Sequence, residues 1–199
     1  MAREKDENKR IAVMQSAKLL FSSKGFVNTS IADIVRETGM SVGTIYTYFK
    51  SKDEIVRAIV EEGWSSLYSR IETAMAGARS SQAGLELLVD TFLPELLQDL
   101  PLINILLSEA IDYTRLEEKV EKLTDLVFSL LKTERPEAPG WPGVPRQMLR
   151  TGLIVIFLGV LNAVRVTRRS SLGIRTEDII GFVDFLTRGS LGLPLGVKP

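Results

Sequence analysis

Small and hydroxyl-bearing side chains are concentrated between Ser41 and Phe49. The interior of this segment, residues 42–48, is predicted to be helical although Gly, Thr and Tyr are mediocre helix formers. Small residues let a backbone approach a partner closely, and Thr and Tyr hydroxyls can hydrogen-bond phosphate oxygens or base edges. The composition of this helix therefore suits a surface that enters a nucleic-acid groove.

Other chemistry has little support in the sequence. The 199 residues include no Cys and no His, which excludes a disulfide framework, a thiol redox site, a Cys/His metal site and a catalytic histidine. Two pairs of adjacent carboxylates, Glu61-Glu62 and Glu117-Glu118, could be offered as acid and base. Neighbours on a helix point about 100° apart, so the members of a pair do not face each other. We predict neither an enzyme nor a metal or cofactor site.

The hydroxyl-rich helix is the second of two short predicted helices. Thr29 and Ser30 can cap the first one, Gly39 follows its last turn, and Ser41 can cap the second. Two short helices joined by a tight turn form the outline of a helix-turn-helix. A longer helix is predicted before it, ending at Lys24, and another after it, beginning at a capping box of Ser51 and Glu54.

Spacing divides the second helix into two faces. Ile45 and Phe49, four residues apart, are predicted to face the core. The opposite face offers no Arg, Asn or Gln for bidentate base reading, so Val42 and Thr contacts with thymine methyl groups and DNA shape are expected to provide specificity. Tyr46 and Tyr48 are predicted at the recognition face, with core or rim aromatics of a small bundle as the alternative.

Charge is unevenly distributed along a chain whose formal net charge is zero. Residues 1–57 contain ten Lys and Arg against seven Asp and Glu, and the remainder contains fifteen against eighteen. A positive head suits a polyanion partner, although chance scatter is the alternative. The N-terminal arm, with Arg3, Lys5, Lys9 and Arg10, is predicted to be a solvated helix start rather than a DNA contact.

The rest of the chain shows helical periodicity and no strand alternation, so the fold class is predicted to be all-α. A loop is expected over residues 76–84, and a second one, containing Trp141, over 134–145. Helices are predicted over residues 85–100, kinked or divided at Pro94, and over 101–113, 116–133, 146–168 and 176–191. The apolar run 153–161 is too short for a membrane span and is predicted to be buried.

Residues 17–59, AKLLFSSKGFVNTSIADIVRETGMSVGTIYTYFKSKDEIVRAI, resemble the DNA-binding domain of the TetR family of transcriptional repressors, most densely over Gly39–Asp53. The resemblance covers about the first third of the chain. It implies a three-helix helix-turn-helix head, residues 1–52, joined to a larger helical ligand-binding and dimerisation body, residues 53–199. It also implies a homodimer that holds a palindromic operator until a small molecule binds.

Residue by residue, the resemblance places Thr29 or Ser30 and Lys52 at DNA-backbone positions. The residues it implies on or beside the recognition face are Ser41, Val42, Gly43, Thr44, Tyr46, Thr47 and Tyr48. Arg36 could also reach a phosphate, although a solvated helix face explains it equally well.

An effector pocket in the body would be largely apolar with a few polar groups. The candidate lining residues are Trp64, Tyr68, Phe92, Asn104, Leu107, Glu109, Tyr113, Phe128, Phe157 and Asn162. Glu109 would favour a cationic effector if it pointed inward, and pointing to water is the alternative. The aromatic candidates could equally be plain core.

The last two helices carry apolar stripes that suit a dimer interface. The stripes are Leu153, Ile156, Val160 and Val164 on one helix, and Ile179, Phe182, Phe185 and Leu186 on the other. Burial within a monomer would produce the same pattern.

Together these features predict a ligand-responsive, sequence-specific DNA-binding transcriptional regulator. We expect a cytoplasmic repressor released from double-stranded operator DNA by a small molecule, with no membrane partner. A DNA-binding activator or architectural protein without a ligand is the alternative.

Overall fold

The computed structural model describes residues 2–132, 145–167, 171 and 173–190, and within these ranges the secondary structure is helical with no strand. This confirms the predicted all-α class. The predicted loop at 134–145 lies almost wholly outside the described residues, Trp141 included. The helices are α1 (Ala2–Lys24), α2 (Ile31–Thr38), α3 (Val42–Tyr48), α4 (Lys52–Ala76), α5 (Ser81–Leu87), α6 (Leu93–Gln98), α7 (Leu100–Leu106), α8 (Leu116–Lys132), α9 (Arg146–Thr167) and α10 (Thr176–Ser190).

The chain forms two compact units. The first, here called the head unit, contains Met1–Ser66 and Asp99–Leu116, and the second, the body unit, contains Leu67–Gln98 and Glu117–Pro199. The head unit therefore recruits α7 from much later in the sequence. The functional division at residue 52 stays a prediction.

The core of the head unit is made by α1 to α4. These helices bury aliphatic and aromatic side chains at the three- and four-residue spacing that the sequence shows. The buried residues are Val13, Met14, Ala17, Leu20, Phe21, Phe26, Ile34, Ile45, Phe49, Ile55, Val56, Ile59 and Val60. Helix α7 joins the same unit: Asn104 donates from Nδ2 to Ser22 Oγ at 3.0 Å, and Lys18 pairs with Asp99.

The predicted loop at 76–84 is shorter than expected, because α5 begins at Ser81 with Ser80 as its N-cap. Gly84 lies inside this helix. A Cβ on Gly84 would come within 2.6 Å of Leu130 Cδ2 and 3.1 Å of Met75 Sδ. The glycine therefore permits a close approach rather than breaking the helix.

The predicted helix over residues 85–100 is interrupted before Pro94. Residues Leu88–Phe92 form a π-helical turn, and α6 follows it. Pro94 has no N–H to donate to the carbonyl of Asp90, and its ring clashes with that carbonyl, so a widened turn relieves the conflict.

The predicted helix over residues 101–113 also divides. Helix α7 ends at Leu106, and a 3-10 helix covers Glu109–Tyr113. Ser108 causes the break, because its hydroxyl donates to Ile105 O at 2.7 Å and accepts from Ala110 N at 3.2 Å. A side chain that binds nearby backbone groups in this way competes with helix continuation.

In the body unit, Ile71, Met75 and Phe92 form a buried cluster. Partly buried residues pack around it: Leu67, Ala74, Leu87, Leu88, Leu126 and Leu130. Ion pairs also connect helices α8 and α9. The guanidinium nitrogens of Arg146 lie 2.6 Å from Asp125 Oδ1 and 2.9 Å from Glu121 Oε1. These contacts hold α9 at its first turn.

Helix α9 is less buried than the sequence predicted. It is long and apolar enough to cross a membrane by length and composition, and only 17% of its most apolar window is buried. Val160, Leu161 and Val164 are buried within the chain, whereas Met148 and Val155 are 67% and 63% exposed. The prediction of a buried helix is therefore wrong for one face of α9, which has no cover within the described chain.

Candidate nucleic-acid interface

The turn before α2 is closed by a reciprocal cap. Ser30 Oγ accepts from Asp33 N at 3.1 Å, and Asp33 Oδ2 accepts from Ser30 N at 2.9 Å. At the other end Gly39 adopts a left-handed conformation, φ 67°, and its N–H donates to Val35 O. A residue with a Cβ is strained at that φ, so the sharp turn toward α3 depends on glycine.

Ser41 caps α3 as the sequence predicted. Its Oγ accepts from Thr44 N at 3.1 Å and lies 2.8 Å from Thr44 Oγ1. These bonds satisfy a free N–H at the start of α3 and hold the Thr44 hydroxyl at the same end.

Helix α3 has one buried and one exposed face. Ile45 and Phe49 are 0% and 2% exposed, whereas Val42 and Tyr46 are each 49% exposed. Gly43 and Thr47 are also exposed, and Thr44 and Tyr48 are half-buried. The predicted recognition residues of α3 thus lie on or beside one face of the helix.

The two predicted DNA-backbone residues outside α3 are differently placed. Thr29 is 1% exposed, and its hydroxyl donates to Gly25 O at 2.8 Å and Leu20 O at 3.3 Å. In this conformation its side chain does not reach the surface, so of the pair Thr29 and Ser30 only Ser30 presents an exposed side chain. The choice between them could not be made from sequence, since both are cap-forming residues.

Lys52 points into the head unit. Its Nζ donates to the carbonyls of Phe26 at 2.6 Å, Thr29 at 2.9 Å and Val27 at 3.3 Å. The same ammonium lies 4.4 Å from the centroid of the Phe26 ring. Lys52 is partly buried and binds the loop between α1 and α2.

Two arginines near the interface, Arg10 and Arg36, are paired with carboxylates. Arg10 lies 3.0 Å from Glu7 and 3.6 Å from Glu62, and its guanidinium carbon is 5.8 Å from the Phe49 ring centroid. Lys9 is exposed, and the side chains of Arg3 and Lys5 lie outside the described ones. Arg36 is exposed and pairs with Asp33 at 2.6 Å.

Asp33 is a charged centre that the site prediction omitted. Hydrogen bonds from the Ser30 hydroxyl and Ser30 N–H, with a further one from Lys24, hold the pKa of its carboxyl well below the usual range. The spacing Ser30 to Asp33, which is that of a capping box, was the signal that could have found it.

The predicted effector residues divide between the two units. Trp64, Asn104, Leu107, Glu109 and Tyr113 belong to the head unit, and Tyr68, Phe92, Phe128, Phe157 and Asn162 belong to the body unit. The structure therefore does not gather the ten into one unit, and their effector role stays a prediction.

Several of these candidates have other neighbours. Asn104 donates to Ser22, and the rings of Tyr113 and Phe26 lie 5.3 Å apart, so both residues pack against the head. Asn162 is exposed and accepts from Arg165 at 2.9 Å. The side chain of Glu109 lies outside the described ones.

The remaining candidates in the body unit include one core residue. Phe92 is 8% exposed within the cluster of Ile71 and Met75. Tyr68 lies near Lys122, whose Nζ is 5.9 Å from its ring centroid, and burial raises the pKa of the Tyr68 hydroxyl. In the described part of the chain, no group of three or more His, Cys, Asp or Glu side chains could hold a metal ion.

Comparison with known proteins matches this chain to a family profile and to individual relatives. Residues 13–59 match the profile described as bacterial regulatory proteins, tetR family. Over 63 residues, 32% of this chain and 31% of the relative, the sequence is 36% identical to the uncharacterized HTH-type transcriptional regulator YfiR of Bacillus subtilis (strain 168). Over 83 residues, 42% of this chain and 41% of the relative, it is 30% identical to the HTH-type transcriptional repressor KstR2 of Rhodococcus jostii (strain RHA1). The chain thus matches less than half the length of either relative.

The fold similarity extends over nearly the whole chain. The transcriptional regulator FadR from Bacillus subtilis, solved in complex with stearoyl-CoA, superimposes with a TM-score of 0.70 at 16% identity, covering 95% of this chain and 99% of FadR. At this identity the likeness concerns the fold alone.

Proposed function

We propose, from the match of residues 13–59 to the profile of the tetR family of bacterial regulatory proteins, that the chain is a TetR-family, sequence-specific DNA-binding transcriptional regulator rather than an enzyme. The proposed DNA-binding head is residues 1–52, and residues 53–199 form the proposed effector-binding and dimerisation body. A cytoplasmic location follows from this role.

The exposed face of α3 carries the proposal. Ile45 and Phe49 anchor the helix to the core, while Val42 and Tyr46 remain half exposed without a cover in the described chain. Gly43 adds no side chain to this face, and a Cβ placed there would meet only Ser41 Oγ, at 3.9 Å. A narrow, capped helix with a methyl-bearing and hydroxyl-bearing face fits the DNA major groove, where thymine methyls and base edges are accessible.

We propose that Val42 contacts bases, that Tyr46 contacts a base edge or a phosphate oxygen, that Thr47 accepts a hydrogen bond from a base-edge amino group, and that Ser30 lies beside the DNA backbone. The Thr47 hydroxyl donates to Gly43 O at 2.9 Å, so its oxygen can still accept a hydrogen bond. Tyr46 can donate its hydroxyl to a phosphate oxygen. These roles are inferred from the exposure of the side chains and from the contacts that each type of side chain can make.

The proposed assembly is a homodimer formed by α9 and α10. Exposed positions on α9 follow one another at spacings of three and four: Met148, Thr151, Val155, Gly159, Asn162 and Val166. On α10, Phe182 and Phe185 are 60% and 54% exposed. Two such faces from each protomer would bury one another in a four-helix bundle about a two-fold axis.

This interface differs in detail from the stripes read from sequence. Val160, Val164 and Ile179 are 6%, 0% and 8% exposed, so they pack within the chain. Phe182 and Phe185, by contrast, stay available to a second copy. A two-fold axis through these helices would present two heads to a palindromic operator.

The proposed mode is repression relieved by a largely apolar small molecule. KstR2 is a repressor and FadR was solved with stearoyl-CoA, and these relatives support an effector-responsive role here. The effector would act only through unequal affinity for the DNA-binding and DNA-releasing states. Thermal stabilisation by stearoyl-CoA is a first test, because a ligand that binds the folded state raises its stability by mass action.

DNA selection tests the proposal directly. We expect the chain to enrich a palindromic sequence from a random duplex library at near-physiological salt. A Val42→Ala, Tyr46→Ala double variant should remain folded and lose this enrichment. Gln15→Ala, at an exposed position of α1, is the matched control. Absence of enrichment by the folded, dimeric native chain would contradict the proposed function.

A further inference from the structure

We propose that Lys52 is a positioning residue for the DNA-binding surface, which it serves by fixing the loop between α1 and α2 rather than by binding a DNA phosphate. The expected effect of Lys52 on DNA affinity rests on the proposed DNA-binding function. The expected effect of Lys52 on the loop rests only on the contacts of its ammonium group.

The Lys52 ammonium meets a cluster of carbonyl groups. Its three N–H bonds have acceptors in Phe26 O, Thr29 O and Val27 O at 2.6, 2.9 and 3.3 Å. The face of the Phe26 ring, 4.4 Å away, adds a cation–π contact. Donors that are all directed inward leave none for an external phosphate.

The loop depends on this lysine because its other polar groups are engaged elsewhere. Asn28 Nδ2 donates to Lys24 O at 3.2 Å, and Thr29 Oγ1 donates to Gly25 O at 2.8 Å. These bonds satisfy carbonyls at the end of α1. Phe26 O also accepts from Thr29 N at 3.3 Å, and among the described residues Lys52 is the side chain that donates to the carbonyls of Phe26, Val27 and Thr29. Backbone carbonyls in a partly covered turn need such a donor.

The position of Lys52 explains how one contact reaches the DNA-binding surface. Lys52 is the first residue of α4, directly after the turn that follows α3. The loop it holds ends at Ser30, the N-cap of α2. Lys52 therefore ties the exit from α3 to the entry into α2, and these two helices define the helix-turn-helix angle.

Lys52→Met separates the two roles. We expect its melting temperature to fall by about 5 °C, and amide hydrogen exchange in residues 25–31 to become faster. DNA affinity, measured well below the lowest melting temperature, should fall by about tenfold. The slope of log affinity against log salt should stay unchanged, because no phosphate contact is lost. A phosphate-binding lysine would instead lower the magnitude of that slope by about 0.9 without changing the melting temperature.

Two further variants complete the test. Lys50→Met removes the same charge at an exposed position two residues away, and its melting temperature should match that of the native chain. Lys52→Arg keeps the charge but replaces a compact ammonium with a planar fork that fits three convergent carbonyls poorly. We expect it to restore the melting temperature and the affinity only in part, whereas an arginine on a phosphate would restore the affinity fully.

A reduced salt slope in Lys52→Met, an unchanged melting temperature, or full recovery of affinity in Lys52→Arg overturns the inference. The DNA measurements use the sequence enriched in the selection experiment. If the native chain enriches none, the proposed function fails, and the melting and exchange measurements still decide whether Lys52 holds the loop.

Discussion

Two helical faces without cover in the described chain differ in chemistry. The exposed face of α3 combines Val42, Tyr46 and Thr47 with Gly43, so apolar area is interrupted by hydroxyls and by bare backbone. The exposed face of α9 and α10 presents larger apolar side chains, including Phe182 and Phe185 at 60% and 54% exposure. The first suits a hydrated, polar partner such as DNA, and the second suits another apolar protein surface.

The helices that carry the two faces also differ in length and in how they are held in place. Helix α3 is short, and its N-terminus is fixed by the Ser41 cap and its core side by Ile45 and Phe49. Helices α9 and α10 are three and two times as long as α3, with 22 and 15 residues against seven. A recognition helix needs an exact position, whereas a dimer interface needs area. Mutations on the two faces should therefore affect different measurements.

The largest effect is expected on the apolar face. Phe182→Asp with Phe185→Asp should convert the dimer to a monomer at micromolar concentration, because each dimer would bury four added charges. Loss of bivalent contact should weaken binding to a palindromic site by about 100-fold or more. Sedimentation velocity measures the assembly, and circular dichroism checks that each monomer stays helical.

Thr73→Asp, which adds a charge at an exposed position of α4 in the same unit, is the control and should remain dimeric. Gly159→Leu offers a second route to the same result. No atom among the described residues lies within 4 Å of a Cβ built on Gly159, so the monomer should tolerate leucine while a closely packed partner helix would not. If the Phe182→Asp, Phe185→Asp protein and the Gly159→Leu protein both remained dimeric, the dimer interface would have to lie elsewhere.

An intermediate effect is expected at the start of α3. Ser41→Ala removes the acceptor for Thr44 N and should lower the free energy of unfolding by about 1 kcal/mol, as measured by urea denaturation. Ser41→Asp keeps a cap and adds a negative charge that would face DNA. We expect it to retain stability and lose DNA affinity, with Ser41→Asn as the uncharged control. Equal DNA affinity for the Asp and Asn variants would argue against a DNA contact at this end of α3.

The head was predictable in detail because its signals are local. Both ends of α2 and the start of α3 follow from Ser30, Gly39 and Ser41, each of which acts on a backbone group within four residues. The buried side of α3 follows from the spacing of Ile45 and Phe49. Each of these signals and the backbone group that it acts on lie within the same short stretch of sequence.

The contacts that the sequence does not indicate are those made with a distant residue. Gly84 was predicted to lie in a loop, but it lies in α5, where the side chain of Leu130 packs closely against it. Asn104 is predicted to line an effector pocket, and in the structure its amide donates to Ser22, 82 positions away. The resemblance implies a DNA-backbone contact for Lys52, and in the structure its ammonium donates to carbonyls 23 to 26 residues earlier. Periodicity gives the direction of a side chain on its own helix and not the partner that it meets.

The smallest expected effect concerns the Asp33 charge in the first turn of α2. Asp33 has its pKa lowered first by the Ser30 hydroxyl, then by the Ser30 N–H and by Lys24. A carboxyl whose folded pKa lies below the unfolded value near 3.9 stabilises the fold above that pH, and the stabilisation is lost as the pH falls toward the folded pKa. Asp33→Asn should therefore melt at a lower temperature than the native chain at pH 6 to 7. The gap should narrow as the pH drops below about 4, and a gap that stayed constant down to about pH 2 would contradict the assigned role of the Asp33 charge.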